Sequence, residues 1–528
     1  MSIDFALIAV AMVGYKVSLV LDYAAKPRPR VMRHLRHFCV HTGLWLLGFA
    51  LEMLLFQRPW FALFNLLGLQ LLLIIISNMK QHFLREPFFY TDTEYFWDAI
   101  KHPRLYLPFF GIGNTVLGFA IYLGAAALAF YFEPAYSQWP IAVLGFAVAG
   151  AVALLLGDSL AQAQPSWQPS ADIQQMGFTP ALWRYAQAER QALALDEHAP
   201  FAQTWQAPAL LPHLVVVQSE SFFDPRRYYA DYVQPHVLTQ FDQMAATGQR
   251  GVLQVPSWGA NTVRTEYAVL SGLEPSLLGV HQFNPYRRLA KHCVPSLAHY
   301  LRSIGYKTIC VHPYAASFYR RNTAMPLLGF DEFIDIRAFT KDDYFGAYVS
   351  DAALARTLTG VLQAQTDQPV FVHVITMENH GPLHWETVSA TETHALMQQP
   401  VPSGAEDLVP YVRHIQHTDQ LLQHVQQTLL TLTRPTGLCL FGDHVPIMSG
   451  VYKQLGEPDG STDYLLWRSD AAKSPNAPAT PTAPAANALT AAQLGPAWLA
   501  FMGFNQVNAS PAPQPLNPPD AAPNQPHE

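Results

Sequence analysis

Charge is scarce in this chain. Only 13% of its 528 residues are Asp, Glu, Lys or Arg, while 50% are hydrophobic. An ordinary globular domain carries about 25% charged residues. The deficit therefore excludes a wholly soluble protein and points to segments that face lipid. The formal charge is -7, and with no basic excess nucleic acid is excluded as a partner. Cysteine is scarcer still, with four in all: Cys39, Cys293, Cys310 and Cys439. No Cys-x-x-Cys pair occurs and no Cys/His run has zinc-finger spacing, which excludes a cysteine-built zinc site. Cys39 falls in a membrane-type segment, and Cys310 and Cys439 fall in apolar strand-like runs. They read as buried free thiols. Internal repeats are also absent.

Long apolar runs fill the first third of the chain. Ile3–Leu21, Phe38–Phe56, Trp60–Ile76, Leu107–Tyr131 and Ile141–Leu156 approach or exceed the ~20 residues that cross a bilayer as helix. About five transmembrane helices are therefore expected within residues 1–158, and the lipid bilayer is the first partner. Glu52 is the main charge inside them and reads as a helix-end or bundle-facing residue. No small-residue cleavage pattern follows the first run, so it is not read as a cleaved signal. The first connecting loop holds Lys26, Arg28, Arg30, Arg33 and Arg36, which by charge bias is cytoplasmic. The loop with Lys80, Arg85, Lys101 and Arg104 leans the same way, although Glu86, Asp92, Glu94 and Asp98 share it. Five crossings with those loops inside would leave the rest of the chain in the cytoplasm.

Residues 159–212 are proline-punctuated and read as a linker with some helix over Pro180–Leu195. From Leu214 the pattern changes to short apolar runs between amphipathic stretches. Leu214–Gln218, Lys307–Val311, Val370–Ile375 and Gly437–Phe441 are expected strands. Thr262–Leu270, Val294–Ile304 and Leu408–Leu430 are expected helices. Such alternation predicts an α/β domain over 213–505, a mostly parallel sheet sandwiched by helices. The Ala/Pro-rich stretch 471–488 reads as a disordered insertion. A last helix over Leu489–Met502 would be broken or restarted at Gly495-Pro496. The proline-rich tail 506–528 reads as disordered.

Chemistry-bearing residues fall where the strands end. Leu214 to Ser219 delivers Glu220, and Leu438 to Gly442 delivers the pair Asp443-His444. In a parallel sheet both sets arrive at the carboxyl edge, where such folds bind ligands. Between them lies Asn261-Thr262-Val263-Arg264-Thr265-Glu266. Taken alone, Thr262 reads as a helix N-cap, with Thr265-Glu266 adding capping chemistry. The same geometry would also stabilise an anion at the helix start, and a metal on the threonine oxygen would favour its alkoxide. His312 follows the strand ending at Val311, and Tyr319-Arg320-Arg321 comes soon after. The arginines read as a solvated face, or as a guanidinium grip on phosphate. Asn379-His380-Gly381-Pro382 follows the next strand, and His380 is a candidate proton donor. His373, His384, His414, His417, His424 and Asp419 read as structural or surface residues.

Taken together, Ser219-Glu220-Ser221, Asn261-Thr262-Val263-Arg264-Thr265-Glu266-Tyr267 and Phe441-Gly442-Asp443-His444 resemble, in that order, the lipoteichoic acid synthase and periplasmic phosphoglycerol transferase branch of the alkaline phosphatase superfamily, with its sulfatase-like domain. The resemblance covers about Leu211 to Trp467, and the multi-spanning N-terminus fits it. It implies that Glu220, Thr262, Asp443 and His444 bind one divalent metal, Mn2+ or Mg2+, with Zn2+ as the variant. It implies Thr262 as nucleophile, His380 as a catalytic residue, and His312, Tyr319, Arg321 and Asn379 around the substrate. Ala260 stands where the family usually has glycine, and Tyr319 where a tryptophan can stand. The implied reaction moves phosphoglycerol from a membrane phospholipid donor, phosphatidylglycerol, to a glycan or polysaccharide acceptor through a phospho-threonine. The implied place is the bacterial inner membrane with the catalytic domain outside the cytoplasm, against the loop charges.

Three alternatives stay open. A phosphoethanolamine transferase would use a similar threonine with zinc. A sulfate or phosphate ester hydrolase would use the same scaffold, but Cys293-Val294-Pro295-Ser296-Leu297 misses the sulfatase Cys/Ser-x-Pro-x-Arg string at Leu297. A non-catalytic membrane partner with a relic site would be expected to have lost at least one of the four ligands.

Overall fold

The computed structural model describes residues 5–103, 111–160, 164–191, 199–289, 294–364, 367–472 and 488–507. Residues 473–487 of the expected insertion 471–488, the tail from 508 and Cys293 lie outside the described residues, while Ser469–Ala472 is helical.

Among the described residues, five helices are long and apolar enough to cross a membrane. They are α1 (Phe5–Ala24), α2 (Leu35–Phe56), α3 (Pro59–Leu84), α4 (Ile112–Phe132) and α5 (Trp139–Ser159). Leu51, Leu55, Leu117, Phe119, Leu144 and Leu155 are exposed on them, as a lipid-facing surface requires. Glu52 does face the bundle: its carboxylate accepts from Asn65 Nδ2 at 2.8 and 2.9 Å, and Asn65 in turn accepts from the Tyr122 hydroxyl. This polar chain ties α2, α3 and α4 where lipid offers no partner.

The connecting segment is more ordered than a linker. Pro169–Met176 and Phe178–Ala188 are helical, and Ile173, Met176, Phe178 and Ala181 pack with Ala25 and Ile74 of the membrane part. The Asp172 carboxylate accepts from the Tyr185 hydroxyl at 2.8 Å.

The α/β body is built on one eight-stranded sheet. Its strands are β1 (His213–Ser219), β2 (Gln249–Gln254), β3 (Lys307–Val311), β4 (Glu332–Ile334), β5 (Val370–Ile375), β6 (Thr436–Gly442), β7 (Thr462–Arg468) and β8 (Leu489–Thr490). In space they run β8-β2-β7-β6-β1-β5-β3-β4. The run from β6 to β4 is parallel, β8 pairs parallel with β2, and β7 is antiparallel to both its neighbours. The four expected strands are the four central parallel ones. They read as unbroken apolar runs because both faces are covered. Val215 and Val217 enter one core, with α7 (Asp351–Ala364) and α8 (Leu408–Thr431); Leu214 and Val216 enter the other, with α6 (Thr262–Ser271) and α9 (Ala491–Phe501).

Some expectations are corrected. The helix expected over Val294–Ile304 is shorter, Leu297–Ser303, with Ser296 as its cap. Helix α9 runs through Gly495-Pro496 without a break. Its burial of Leu494, Trp498 and Leu499 outweighs the roughly 3 kcal/mol that an internal proline costs. The glycine is required there, because a Cβ at Gly495 would stand 2.6 Å from the Val269 carbonyl oxygen of α6. Trp205–Gln206 pairs with Asn505–Gln506, so the body closes on itself just outside 213–505.

Candidate active site

Register brings the strand ends level. Ser219 of β1 pairs with Gly442 of β6, and Gln218 with Ile375 of β5. Glu220, Thr376 and Asp443 therefore leave the sheet side by side. The turn after β1 is sharp, with Ser221 at φ 54°. Its backbone N–H donates to Asp443 Oδ1 at 2.8 Å, and its hydroxyl donates to Glu220 Oε1 at 2.9 Å. The His444 backbone N–H also donates to Asp443 Oδ1, at 2.9 Å. His444 Nε2 stands 3.5 Å from Glu220 Oε1 and 3.6 Å from Asp443 Oδ2.

One ligand atom each from Glu220, Asp443 and His444 lies within 4.8 Å of the others, all three residues being buried. Asp443 Oδ2 is buried with no hydrogen-bond partner among the described residues. Burial, and then the Glu220 charge beside it, push the Asp443 carboxyl up to about 7. Two carboxylates crowded in a dry edge, with one oxygen unsatisfied, are an arrangement that a divalent cation relieves. The donors present fit such an ion.

Thr262 is the first residue of α6 and is buried. It is not the helix cap that local capping chemistry suggests. Asn261 holds that position, at φ 66°, and makes no side-chain cap hydrogen bond. The Asn261 amide donates instead to Glu86 Oε1 at 3.3 Å. Thr265 and Glu266 do no capping either: the Thr265 hydroxyl donates to the Asp443 carbonyl at 2.7 Å. Thr262 thus stands at the positive end of the helix dipole, and its side chain lies beside Asp443 and favours the ionised form of that carboxyl.

A small cavity brings Thr262, Glu220 and His444 together with His312, Tyr319, Arg321 and His380. Neither reading of the arginine pair describes Arg321. It is 1% exposed and grips Glu266 with two bonds, Nε at 3.2 Å and Nη2 at 2.8 Å. Its Nη1 faces His312 Nε2 at 3.2 Å, while His312 Nδ1 faces the Ile375 carbonyl at 3.2 Å. Burial and the Arg321 charge lower the His312 pKa well below its usual value. His312 is therefore neutral, with Nδ1–H donating and Nε2 accepting. Arg320 is half exposed and pairs with Glu94. Tyr319 and Arg320 both have positive φ, 53° and 55°, a strained turn of the kind that collects at functional sites.

Asn379 donates from Nδ2 to the Glu220 carbonyl at 3.1 Å, and its Oδ1 is buried without a partner among the described residues. His380 Nδ1 lies 3.0 Å from the Gly381 carbonyl. That contact fixes the proton on Nδ1 and leaves Nε2 to the cavity.

A second, larger cavity of about 470 Å³ opens from the same edge. Glu220, Asn261, Asn379 and His380 line its inner end, and Ile76, Met79, Phe83 and Leu84 of α3 line its outer wall together with Phe88 and Phe96. Beside it lies a clasp that sequence reasoning missed. Arg264 holds Glu86 by two bonds of 2.8 and 2.7 Å, and Lys80 reaches Glu86 at 2.8 Å and Asp92 at 2.7 Å. The signal was present, since Arg264 sits inside the Asn-Thr-Val-Arg-Thr-Glu string two residues from Thr262.

A hard-ligand cluster at the carboxyl edge of a parallel sheet, with a hydroxyl at a helix start beside it, defines the class: a metal-site α/β domain carried on membrane helices. The family follows from sequence comparison. The sulfatase family model matches residues 212–504, and the chain belongs to that family. A capsular polysaccharide biosynthesis protein, RkpI, of Rhizobium meliloti (strain 1021) is 28% identical over 439 residues, 78% of this chain and 77% of the relative. A putative cyclic beta-1,2-glucan modification protein of the same organism is 26% identical over 48% of this chain and 38% of its own length. Among solved structures, the integral membrane lipooligosaccharide phosphoethanolamine transferase A of Neisseria meningitidis aligns over 94% of this chain and 95% of its own. Its TM-score is 0.58, at 15% identity. That likeness covers the membrane helices and the α/β body together and establishes that the two chains share a fold.

Proposed function

We propose that the protein is a membrane-bound phosphotransferase that moves phosphoglycerol from phosphatidylglycerol to an envelope glycan through a phospho-threonine. The observation that carries this reading is the 470 Å³ cavity, whose outer wall is apolar membrane helix and whose inner end is Glu220, Asn379 and His380. A phospholipid matches that gradient, with acyl chains along α3 and its phosphate at the polar end. Two relatives named for polysaccharide biosynthesis and glucan modification support a glycan as acceptor.

Glu220, Thr262, Asp443 and His444 would hold one divalent metal, Mn2+ or Mg2+ by their oxygen-rich set or Zn2+ as the variant, supplying charge neutralisation at phosphoryl oxygens and a lowered hydroxyl pKa. Thr262 Oγ attacks the donor phosphorus in line, and the bond to the diacylglycerol oxygen breaks. His380 Nε2 takes the proton of the Thr262 hydroxyl and passes it to that oxygen. The acceptor hydroxyl then attacks phospho-threonine, the bond from phosphorus to Thr262 Oγ breaks, and the acceptor's proton passes through His380 to Thr262 Oγ. Asn379 orients the edge through the Glu220 carbonyl. Arg321, pinned by Glu266, fixes the His312 tautomer, and Tyr319 closes the headgroup side. The α3 wall keeps the donor near the nucleophile and raises its effective concentration.

Phosphoethanolamine is the second reading, and Asp407 at the cavity lining is the carboxylate an ammonium headgroup would meet. The test supplies membranes with phosphatidylglycerol or phosphatidylethanolamine labelled in the headgroup. Label on a glycan from phosphatidylglycerol, absent with Thr262→Ala, is the expected outcome. Transfer from phosphatidylethanolamine alone selects the second reading. Release of free glycerol phosphate would make the protein a hydrolase, and no turnover in either protein would make the site a relic.

The proposed placement of the α/β body is outside the cytoplasm, reached by five crossings. The basic loops then lie on that same side, and part of their charge is spent in ion pairs: Arg33 with Asp22 at 2.6 Å, and Lys80 with Glu86 and Asp92. Acidic residues contribute little to the bias that orients helices, so the placement rests on the family resemblance against the loop charges. A C-terminal alkaline phosphatase reporter is expected to be active; a cytoplasmic fluorescent signal from the matching fusion would reverse the placement.

A further inference from the structure

On the opposite face of the sheet from α6 lies a second convergence of ligand atoms. Glu378 belongs to the loop after β5, beside Asn379 and His380. His414 and His417 stand one turn apart on α8 and so share a face. Glu378 Oε1 is 3.0 Å from His414 Nδ1 and 2.5 Å from His417 Nδ1. The three ligand atoms lie within 4.8 Å of one another.

The other atoms of these groups are already committed. Glu378 Oε2 accepts from the Asp351 backbone N–H at 2.6 Å. His414 Nε2 lies 3.0 and 2.9 Å from the two oxygens of Glu386, and Arg413 holds Glu386 in turn at 2.5 Å. Phe345 packs edge-on against both imidazoles, with centroids at 5.9 and 4.9 Å. Nearby, Asp351 Oδ1 is buried with no hydrogen-bond partner among the described residues.

His414 therefore faces a carboxylate at each ring nitrogen. A neutral imidazole has one N–H and satisfies only one of them, so the His414 Nδ1–Glu378 contact holds either a second proton or a metal ion. Glu386 on Nε2 is the outer carboxylate that fixes the tautomer of a metal-ligating histidine and presents the opposite nitrogen. His417 supplies a second nitrogen aimed at the same point, which a lone protonated His414 does not require. Its side chain is 24% exposed, leaving room for a solvent ligand. Two imidazoles and one carboxylate suit zinc better than manganese or magnesium.

We propose that Glu378, His414 and His417 form a second metal site, of the zinc class, separate from the Thr262 centre. A cation there ties the Asn379–His380 loop to α8.

The experiment uses the full chain in detergent, equilibrated with zinc and desalted, with metal measured by mass spectrometry. His417→Asn is the main variant, because its side chain is partly exposed and the fold is expected to survive it. Glu220→Gln is the counterpart that weakens the first site. The expected result is one equivalent of zinc per chain that persists in E220Q and is lost in the double variant E220Q/H417N. Cobalt in its place gives a visible d–d band with the same dependence, and zinc raises the Tm of E220Q but not of E220Q/H417N. Metal content and cobalt spectrum indifferent to His417 would overturn the site and leave His414 as a doubly bonded imidazolium. Because the readout persists in E220Q, it does not depend on the transferase reading.

Discussion

At the floor of the active site, Arg321 has no freedom left: Glu266 takes two of its nitrogens and His312 faces the third. Replacing Glu266 with Gln leaves a buried guanidinium without its counter-charge. Breaking such a pair costs about 3–5 kcal/mol, so E266Q is expected to unfold at clearly lower denaturant, measured by chemical unfolding in detergent. None of this was legible from the sequence. An acid four positions after Thr262 looks like capping chemistry, and only the fold shows that its partner lies 55 residues away. Thr262 was half legible. A hydroxyl at a helix start has two readings by spacing alone, and the choice is made by Asn261, which takes the cap position without using its side chain. With Thr262 as the proposed nucleophile, Thr262→Ala should lower transfer by about 10³-fold or more, in line with losses at other nucleophiles. Thr262→Ser, which keeps a hydroxyl, should retain measurable transfer. Equal rates for all three proteins in the labelled-lipid assay would remove Thr262 from the chemistry.

The central strands were the most legible elements. A strand covered on both faces must be apolar at every position, and β1, β3, β5 and β6 are largely so and buried. β2 was not seen. It reads Gln-Arg-Gly-Val-Leu-Gln, lies one strand from the sheet edge and is half exposed along its length, so its apolar signal is short. The passage of α9 through Pro496 was misread for the opposite reason, since local propensity yields there to the contact with α6. How strands and turns place chemistry is clearest at Gly442. A Cβ there would stand 1.8 Å from the Phe222 carbonyl oxygen, so the β6 exit and the turn after β1 touch backbone to backbone. Gly442→Ala must push these two segments apart, at about 1–3 kcal/mol for overpacking. It should also separate Asp443 from Ser221. The expected result is a lower Tm together with weaker metal binding by calorimetry; a lower Tm with unchanged metal affinity would mean that the ligands do not depend on this contact.

At the scale of the whole molecule, membrane part and catalytic body are joined through a few charged side chains. The five crossings were legible because apolar runs of ~20 residues match the thickness of a bilayer and exceed what a buried core helix needs. The side on which the body lies was not, because the Lys and Arg of the loops point to the cytoplasm while the family resemblance implies the other side. The Glu86–Arg264 clasp, between residues 178 positions apart, could not be read from spacing. It joins the end of α3 to the helix that starts with Thr262, and Glu86 also accepts from Asn261, the residue before Thr262. Burial disfavours ionised Glu86, but the Arg264 and Lys80 charges outweigh it and hold the carboxyl at about 2, below its usual 4.5. The folded protein thus keeps Glu86 ionised where an unfolded chain would protonate it. Its contribution is complete above about pH 4.5 and is lost as the pH falls toward about 2. Glu86→Gln removes that charge at every pH. The variant should be less stable than the parent at pH 7, and the difference should shrink on acidification through that window. Displacing a nucleophile by as little as ~1 Å can cost about 10²-fold in rate, so E86Q should also lose turnover while binding metal as before. A stability difference that stays constant from pH 5 to pH 3 would show that Glu86 holds the two parts together by packing and not by charge.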